Sequence, residues 1–191
     1  MKYFTSDQHL GDPRIGINNG IDLFNRSKVF SSVEIQNEML IKAINAVVGV
    51  NDELIHLGDV CYDLESLHWM DGVKCKKRTL ITGNYDVGKE KQLAEYFDEI
   101  YDMGWFEISG IDYPVYCNHY PTDCKKYLDH ASDENFTLTG HIHGLWTVQK
   151  GMLNVGCDAW HFYPVSEEEV LFKYNAMQKI YDKNVFVYGN D

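Results

Sequence analysis

Five places in this chain of 191 residues put metal-ligand side chains directly after an apolar run of strand length. They are Asp7-Gln8-His9, Gly58-Asp59, Gly83-Asn84-Tyr85-Asp86, Asn118-His119 and Gly140-His141-Ile142-His143. In open α/β folds, ligand sites gather just outside the carboxyl ends of the strands. Carboxylate, amide and imidazole donors without thiolates suit borderline-to-hard divalent ions such as manganese, iron, zinc or nickel. Two such ions about 3.5–4 Å apart can share one carboxylate and clamp an in-line displacement at phosphorus. Metal-assisted cleavage of a phosphate ester is the chemistry this set of residues could do.

The motifs differ in weight. With 15 Gly and 8 His in the chain, Gly-His-x-His is expected about 0.03 times by chance, whereas Asp-x-His is expected roughly 0.7 times. Leu10-Gly11-Asp12 repeats the letters of Leu57-Gly58-Asp59, but no apolar strand directly precedes it, so Asp12 reads as a loop residue. The evidence lies in all five motifs occurring in order, each after a plausible strand.

The elements that must position them can be read from pattern. Strands are expected at Lys2–Ser6, Glu53–Leu57, Thr79–Thr82, Trp105–Ile108, Tyr113–Cys117, Phe136–Thr139, Met152–Val155 and, closing the chain, Val185–Tyr188. Trp146–Val148 and the strand from Met152 flank a Lys150-Gly151 turn. The clearest helix runs from Ser32 to Val48, capped by Ser31 or Ser32, with Ile35, Met39, Ile41, Ile44 and Val48 near helical spacing. Further helices are expected at Asp63–Met70, Lys89–Phe97, Lys125–His130 and after Ser166, while Gly11–Asn25 is loop-like. Early strands alternating with helices, then a strand-rich second half, predict an α/β fold of two packed sheets covered by helices. The length suits one domain, residues 1–191.

Composition excludes several classes. A chain 45% hydrophobic and 14% aromatic is globular, and no apolar run approaches the roughly 20 residues needed to span a bilayer. The amino-terminal residues lack a signal peptide's apolar core. Five scattered cysteines form no Cys-x-x-Cys pair and fit reduced thiols; a cytoplasmic location is expected, in a host cell if the gene is a phage's. A formal net charge of −12 argues against long nucleic acid as a partner. Arg14 and Arg26 are the candidates to grip substrate phosphate, since guanidinium can do so bidentately. Lys74 to Arg78 reads as a solvated strand entry, His56 as packed, His68 and His130 as surface, and Trp105, Trp146, Trp160 and Phe162 as core.

The ordered motifs, with the Arg26–Met39 stretch and Asn154–Asp158 followed by Tyr163-Pro164, resemble the calcineurin-like metallophosphoesterases, closest to small uncapped bacterial and phage members. The resemblance implies a four-layer sandwich of two mixed β-sheets flanked by helices. It implies two divalent ions, manganese first among iron, zinc and nickel. One would be held by Asp7, His9, Asp59 and His143, the other by Asp59, Asn84, His119 and His141, with Asp59 as the bridge and a shared hydroxide as nucleophile. The family's motif usually carries a histidine where this chain has Tyr85, and that histidine, oriented by the acid after it (here Asp86), protonates the leaving alcohol. A phenol is a weaker proton donor than imidazolium. Tyr85 therefore points to phosphodiesters or activated esters, with His161 or His56 as substitute acids that nothing in the sequence selects between. Rival readings are a protein or nucleotide phosphomonoesterase and an inactive scaffold of the same fold. The expected substrate is a small phosphorylated molecule, such as a nucleotide or other phosphodiester; neither its identity nor the oligomeric state is readable.

Overall fold

The computed structural model describes residues 1–15, 24–130 and 136–180. Its first sheet is built from β1 (Lys2–Thr5), β2 (Glu53–His56), β3 (Lys77–Ile81), β4 (Glu99–Tyr101) and β10 (Val165–Ser166), in the order β10-β1-β2-β3-β4. The second holds β5 (Gly104–Phe106), β6 (Val115–Asn118), β7 (Thr137–Thr139), β8 (Val148–Gln149) and β9 (Met152–Asn154), in the order β5-β6-β7-β9-β8. Both sheets are mixed. β1 to β4 run parallel, as do β6, β7 and β9, while β10, β5 and β8 pair antiparallel to their neighbours.

Period-two alternation explains the layers. Leu54 and Leu80 face a helix-covered core with Leu40, Ile41 and Ile44. Their neighbours Ile55 and Ile81 face the opposite way, into a core shared between the sheets with Phe4, Cys117, Leu138 and Leu153. Behind the second sheet, Tyr116 and Met152 pack on Cys124 and Leu128 of α3 (Pro121–His130). Each fully buried aliphatic or Phe side chain in these layers contributes about 1.5–3 kcal/mol. Two five-stranded mixed sheets flanked by helices form the expected four-layer α/β sandwich.

Local signals account for much of the rest. α1 (Val33–Val47) begins at Ser32, whose side chain accepts from the Ile35 amide, satisfying a free first-turn donor. Its buried face is Gln36, Asn37, Leu40, Ile41, Ala43 and Ile44; Ile35 and Met39, expected on that face, are exposed. α4 (Glu167–Asn175) is capped by Ser166 in the same way. The expected helix at Lys89–Phe97 shortens to α2 (Glu90–Leu93), and Asp63–Met70 becomes a 3₁₀ segment over Glu65–Gly72. Trp105, expected in the core, stands half exposed on an edge strand. The expected strand at Val185–Tyr188 lies outside the described residues. All five cysteines are buried and unpaired. No helix among the described residues is long and apolar enough to cross a membrane.

The sheets meet so that the carboxyl ends of their parallel strands converge. An isolated parallel bridge between Ser6, just after β1, and Gly156, just after β9, ties one sheet to the other there.

Candidate metal centre

Five loops at this convergence carry the five sequence motifs. Asp7 and His9 follow β1, Asp59 follows β2, Asn84 follows β3, His119 follows β6, and His141 and His143 follow β7. Asp7, His9, Asp59, His141 and His143 all have left-handed backbone, with φ between 48° and 72°. Such conformations cost non-glycine residues of order 1–3 kcal/mol and persist only where the surroundings dictate them. Close approach of the loops is the cause here. Gly58 has φ 91°, and a Cβ on it would stand 2.5 Å from the Gly83 amide nitrogen and 2.7 Å from His119 Nδ1.

Two groups of ligand atoms result. Asp7, His9 and His143 offer one set within 4.8 Å of one another, and Asp59, His119 and His141 offer another. Asn84 Oδ1 joins the second group, 3.3 Å from His119 Nε2, which lies 3.2 Å from His141 Nδ1. Asp59 Oδ2 stands between the groups, 3.4 Å from His9 Nε2 and 3.5 Å from His119 Nε2.

Hydrogen bonds behind the groups orient their donors. His119 Nδ1 donates to the Leu57 carbonyl at 2.6 Å, which turns Nε2 inward. His143 Nδ1 is held by Asp158 Oδ2 at 2.7 Å. Partners of this kind characteristically fix metal-binding imidazoles. Asp7 accepts from the Ser6 hydroxyl and the His141 amide, and Asp59 Oδ1 accepts from the Tyr85 amide.

Electrostatics separates the histidines. Burial pushes His9 down to about 3, against the pull of Asp59. Burial also opposes charge on His119, but Asp59 and Asp7 outweigh it and raise that imidazole to about 9. Burial pushes Asp7 up despite His119 and His143; Asp59 resists the same push, and the His119 imidazole holds it low.

A divalent ion fits these residues. Both ring nitrogens of His9 are buried without a hydrogen-bond partner among the described residues, an arrangement native proteins avoid unless something else satisfies the group. The hard and borderline donors, free of thiolate, agree with the same ions.

The family comparison covers most of the chain. Residues 29–177 match the calcineurin-like phosphoesterase superfamily domain. This chain belongs to that superfamily. Its members are generally metal-dependent phosphoesterases. Asp7 and His9 precede the matched stretch, and the fold alone brings them against the other motifs. Among solved structures, the chain is similar to a protein of unknown function from Aquifex aeolicus, with 26% identity and a TM-score of 0.68 over 89% of this chain and 97% of that one. No curated protein sequence matches it significantly.

Other expected residues land differently. Arg26, expected to meet phosphate, is buried and spent on the protein. Its guanidinium pairs twice with Asp158 at 2.7 Å and donates to the Asp7 and Gln8 carbonyls. Asp86, expected to orient residue 85, instead accepts from the amides of Asp59, Val60 and Gly83, stitching two ligand loops together. His56 is buried, accepts from the Gly58 amide and is pushed by burial down to about 3, so it is no substitute acid. His161 is exposed and lines a cavity of about 780 Å³ with His141, His143, Phe24 and Leu145. Sequence reasoning missed Asp158, although it lies in the Asn154–Asp158 stretch, and set Asp12 down as a loop residue, although it is buried.

Proposed function

We propose that this chain is a binuclear metal-dependent phosphoesterase acting on phosphodiesters or activated phosphate esters. The observation that carries the reading is Asp59 Oδ2, nearly equidistant from an imidazole of each ligand group. Asp7, His9, Asp59 and His143 would hold one ion, and Asp59, Asn84, His119 and His141 the other. Ions so bound supply Lewis acidity toward phosphoryl oxygens and lower the pKa of water. The protein's own part is orientation. Leu57, Asp158 and Ser6 lock the ligand side chains, and the buried strand ends hold the two groups in register.

Phosphodiester cleavage is favoured because residue 85 is a phenol where the superfamily's motif usually has the proton-donating imidazole. The 780 Å³ cavity beside His141 and His143 is of the size that takes small ligands, which supports a nucleotide-sized substrate. The net charge of −12 weighs against long nucleic acid. We read residues 1–191 as one domain working in a reducing, cytoplasmic compartment, in keeping with five buried, unpaired cysteines. Manganese is the first ion to try.

Asp59→Asn tests the reading. Wild-type protein is expected to take up two equivalents of manganese and to hydrolyse bis-p-nitrophenyl phosphate. The variant is expected to lose the second equivalent and nearly all turnover. Full activity in Asp59→Asn would sink the shared-carboxylate mechanism.

A further inference from the structure

Asp12 is an acidic residue in a polar loop, yet its side chain is fully buried. A carboxylate is buried at tolerable cost only when paired and hydrogen-bonded. Its partner is Arg14, two residues on. Arg14 Nε reaches Asp12 Oδ1 at 2.9 Å and Oδ2 at 3.2 Å, Nη2 pairs with Oδ2, and the Arg14 amide donates to Oδ1 at 2.9 Å. The guanidinium also lies over two rings, 5.1 Å from the centroid of Tyr62 and 5.4 Å from that of Tyr85. Nη2 donates as well to the Tyr85 hydroxyl.

An exposed arginine has about 2 kcal/mol of rotamer entropy to lose on being fixed. Here a buried carboxylate, two aromatic faces and a phenol oxygen fix one whose side chain is still 31% exposed. The clamp abuts the candidate centre on two sides. Asp12 Oδ2 is 3.9 Å from His9 Nδ1, and the Tyr85 ring sits edge-on to His9 at 4.8 Å, its amide on Asp59 Oδ1. A preorganised cation thus stands beside the residue that replaces the usual proton donor.

We propose that Arg14 is a catalytic residue that stabilises the leaving oxygen by charge, with Asp12 and Tyr85 as the positioning residues that aim it. The inference rests on the phosphoesterase reading above and narrows its substrate class to esters whose leaving groups are stable as anions. In the step, a P–O bond forms from a water oxygen and the P–O bond to the leaving group breaks. The bonding pair stays on the leaving oxygen, which departs as an anion hydrogen-bonded to the guanidinium and takes its proton from solvent; the attacking water's proton goes to solvent. Arg14 remains charged throughout, because the hydrogen bonds it donates to Asp12 and Tyr85 hold its pKa above the ordinary arginine value. Donors aimed where charge develops in a transition state contribute about 10²–10³ in rate each.

The test is a series of aryl methyl phosphates with graded leaving-group acidity, assayed on the manganese-loaded protein. Arg14→Ala is expected to lower kcat by about 10²–10³, to steepen its dependence on leaving-group pKa, and to be rescued partly by added guanidinium ion. Manganese uptake measured by calorimetry should not change. Arg14→Lys should recover part of kcat, and Asp12→Asn should fall between wild type and Arg14→Ala. Tyr85→Phe, which keeps the ring under the guanidinium but loses the phenol oxygen, should likewise fall between wild type and Arg14→Ala in slope. A Tyr85→Phe slope as steep as that of Arg14→Ala would make Tyr85 the proton donor and overturn the proposal. So would an Arg14→Ala effect confined to KM, or a loss of manganese uptake in that variant. Wild-type protein inert toward the whole series would overturn the phosphoesterase reading itself, whereas active wild type with unaltered Arg14→Ala would remove only the role of Arg14.

Discussion

Asp158→Asn is the most demanding test of how the centre is supported, because one carboxylate serves two buried partners. Its oxygens bind Arg26 Nε and Nη2 at 2.7 Å and His143 Nδ1 at 2.7 Å. The Arg26 side chain is 0% exposed and that of Asp158 7%. Removing one member of such a pair strands a buried charge and costs about 3–5 kcal/mol. For a protein of this size, 1 kcal/mol moves Tm by about 2–4 °C, so a drop of about 6–20 °C is expected in thermal unfolding at neutral pH. The surface pair Lys42–Glu38 is the control: at 64% and 55% exposure, Glu38→Gln should stay within about 0.5 kcal/mol of wild type.

The pH dependence carries a sign. Burial opposes the Asp158 charge, but Arg26 and His143 prevail and hold the carboxyl well below its ordinary range. Its contribution is therefore present above the unfolded pKa of about 4 and fades as pH falls through the lower folded value. The gap between wild type and Asp158→Asn should narrow in acid and stay constant from pH 5 upward, within the range where other groups leave the fold intact. The imidazole of His143 also loses its anchor, so manganese affinity should fall by about 10–100-fold in calorimetry. A Tm change under about 2 °C at neutral pH, with metal affinity intact, would refute the account of Asp158 as the common support.

Two further expectations concern proton bookkeeping. His119 is raised to about 9 in the metal-free protein, so an ion entering its group displaces a proton. Metal affinity should climb by about tenfold per pH unit from pH 7 to 9 and then level off, as measured by calorimetry in two buffers of different ionisation heat. The same raised pKa stabilises the metal-free fold below pH 6.5, and that contribution is lost as pH rises through about 9. Tyr85→His should restore an imidazole where the motif usually has one and raise monoester hydrolysis relative to diester hydrolysis. An unchanged ratio on p-nitrophenyl and bis-p-nitrophenyl phosphates would undo the leaving-group argument.

Most strands and their residue types were legible in the sequence because the signals are local; the two- and three-residue strands β4 and β10 were not, being too short to show a pattern. Alternation in Leu54–Leu57 and Leu80–Ile81, the Ser32 and Ser166 caps, and polar residues placed just after apolar runs are each decided within a few positions. So was the set of candidate ligands, since the motifs need no long-range information to be recognised as rare. The fate of charge was not legible. Arg26 and Arg14 looked alike as loop arginines, yet one is buried on Asp158, 132 residues away in sequence, and the other is clamped at the rim of the site. Asp12 read as a loop residue and is buried; Asp158 stood out only as the end of the Asn154–Asp158 stretch and supports both Arg26 and His143. Which face of α1 is buried also went to tertiary packing, leaving Ile35 and Met39 in solvent. The physical reason is common to these cases. Periodicity reports whether a residue leaves water, but the partner that makes burial of a charge tolerable is chosen by the meeting of two sheets, and only the folded chain brings residues 14 and 85, or 26 and 158, within hydrogen-bond reach.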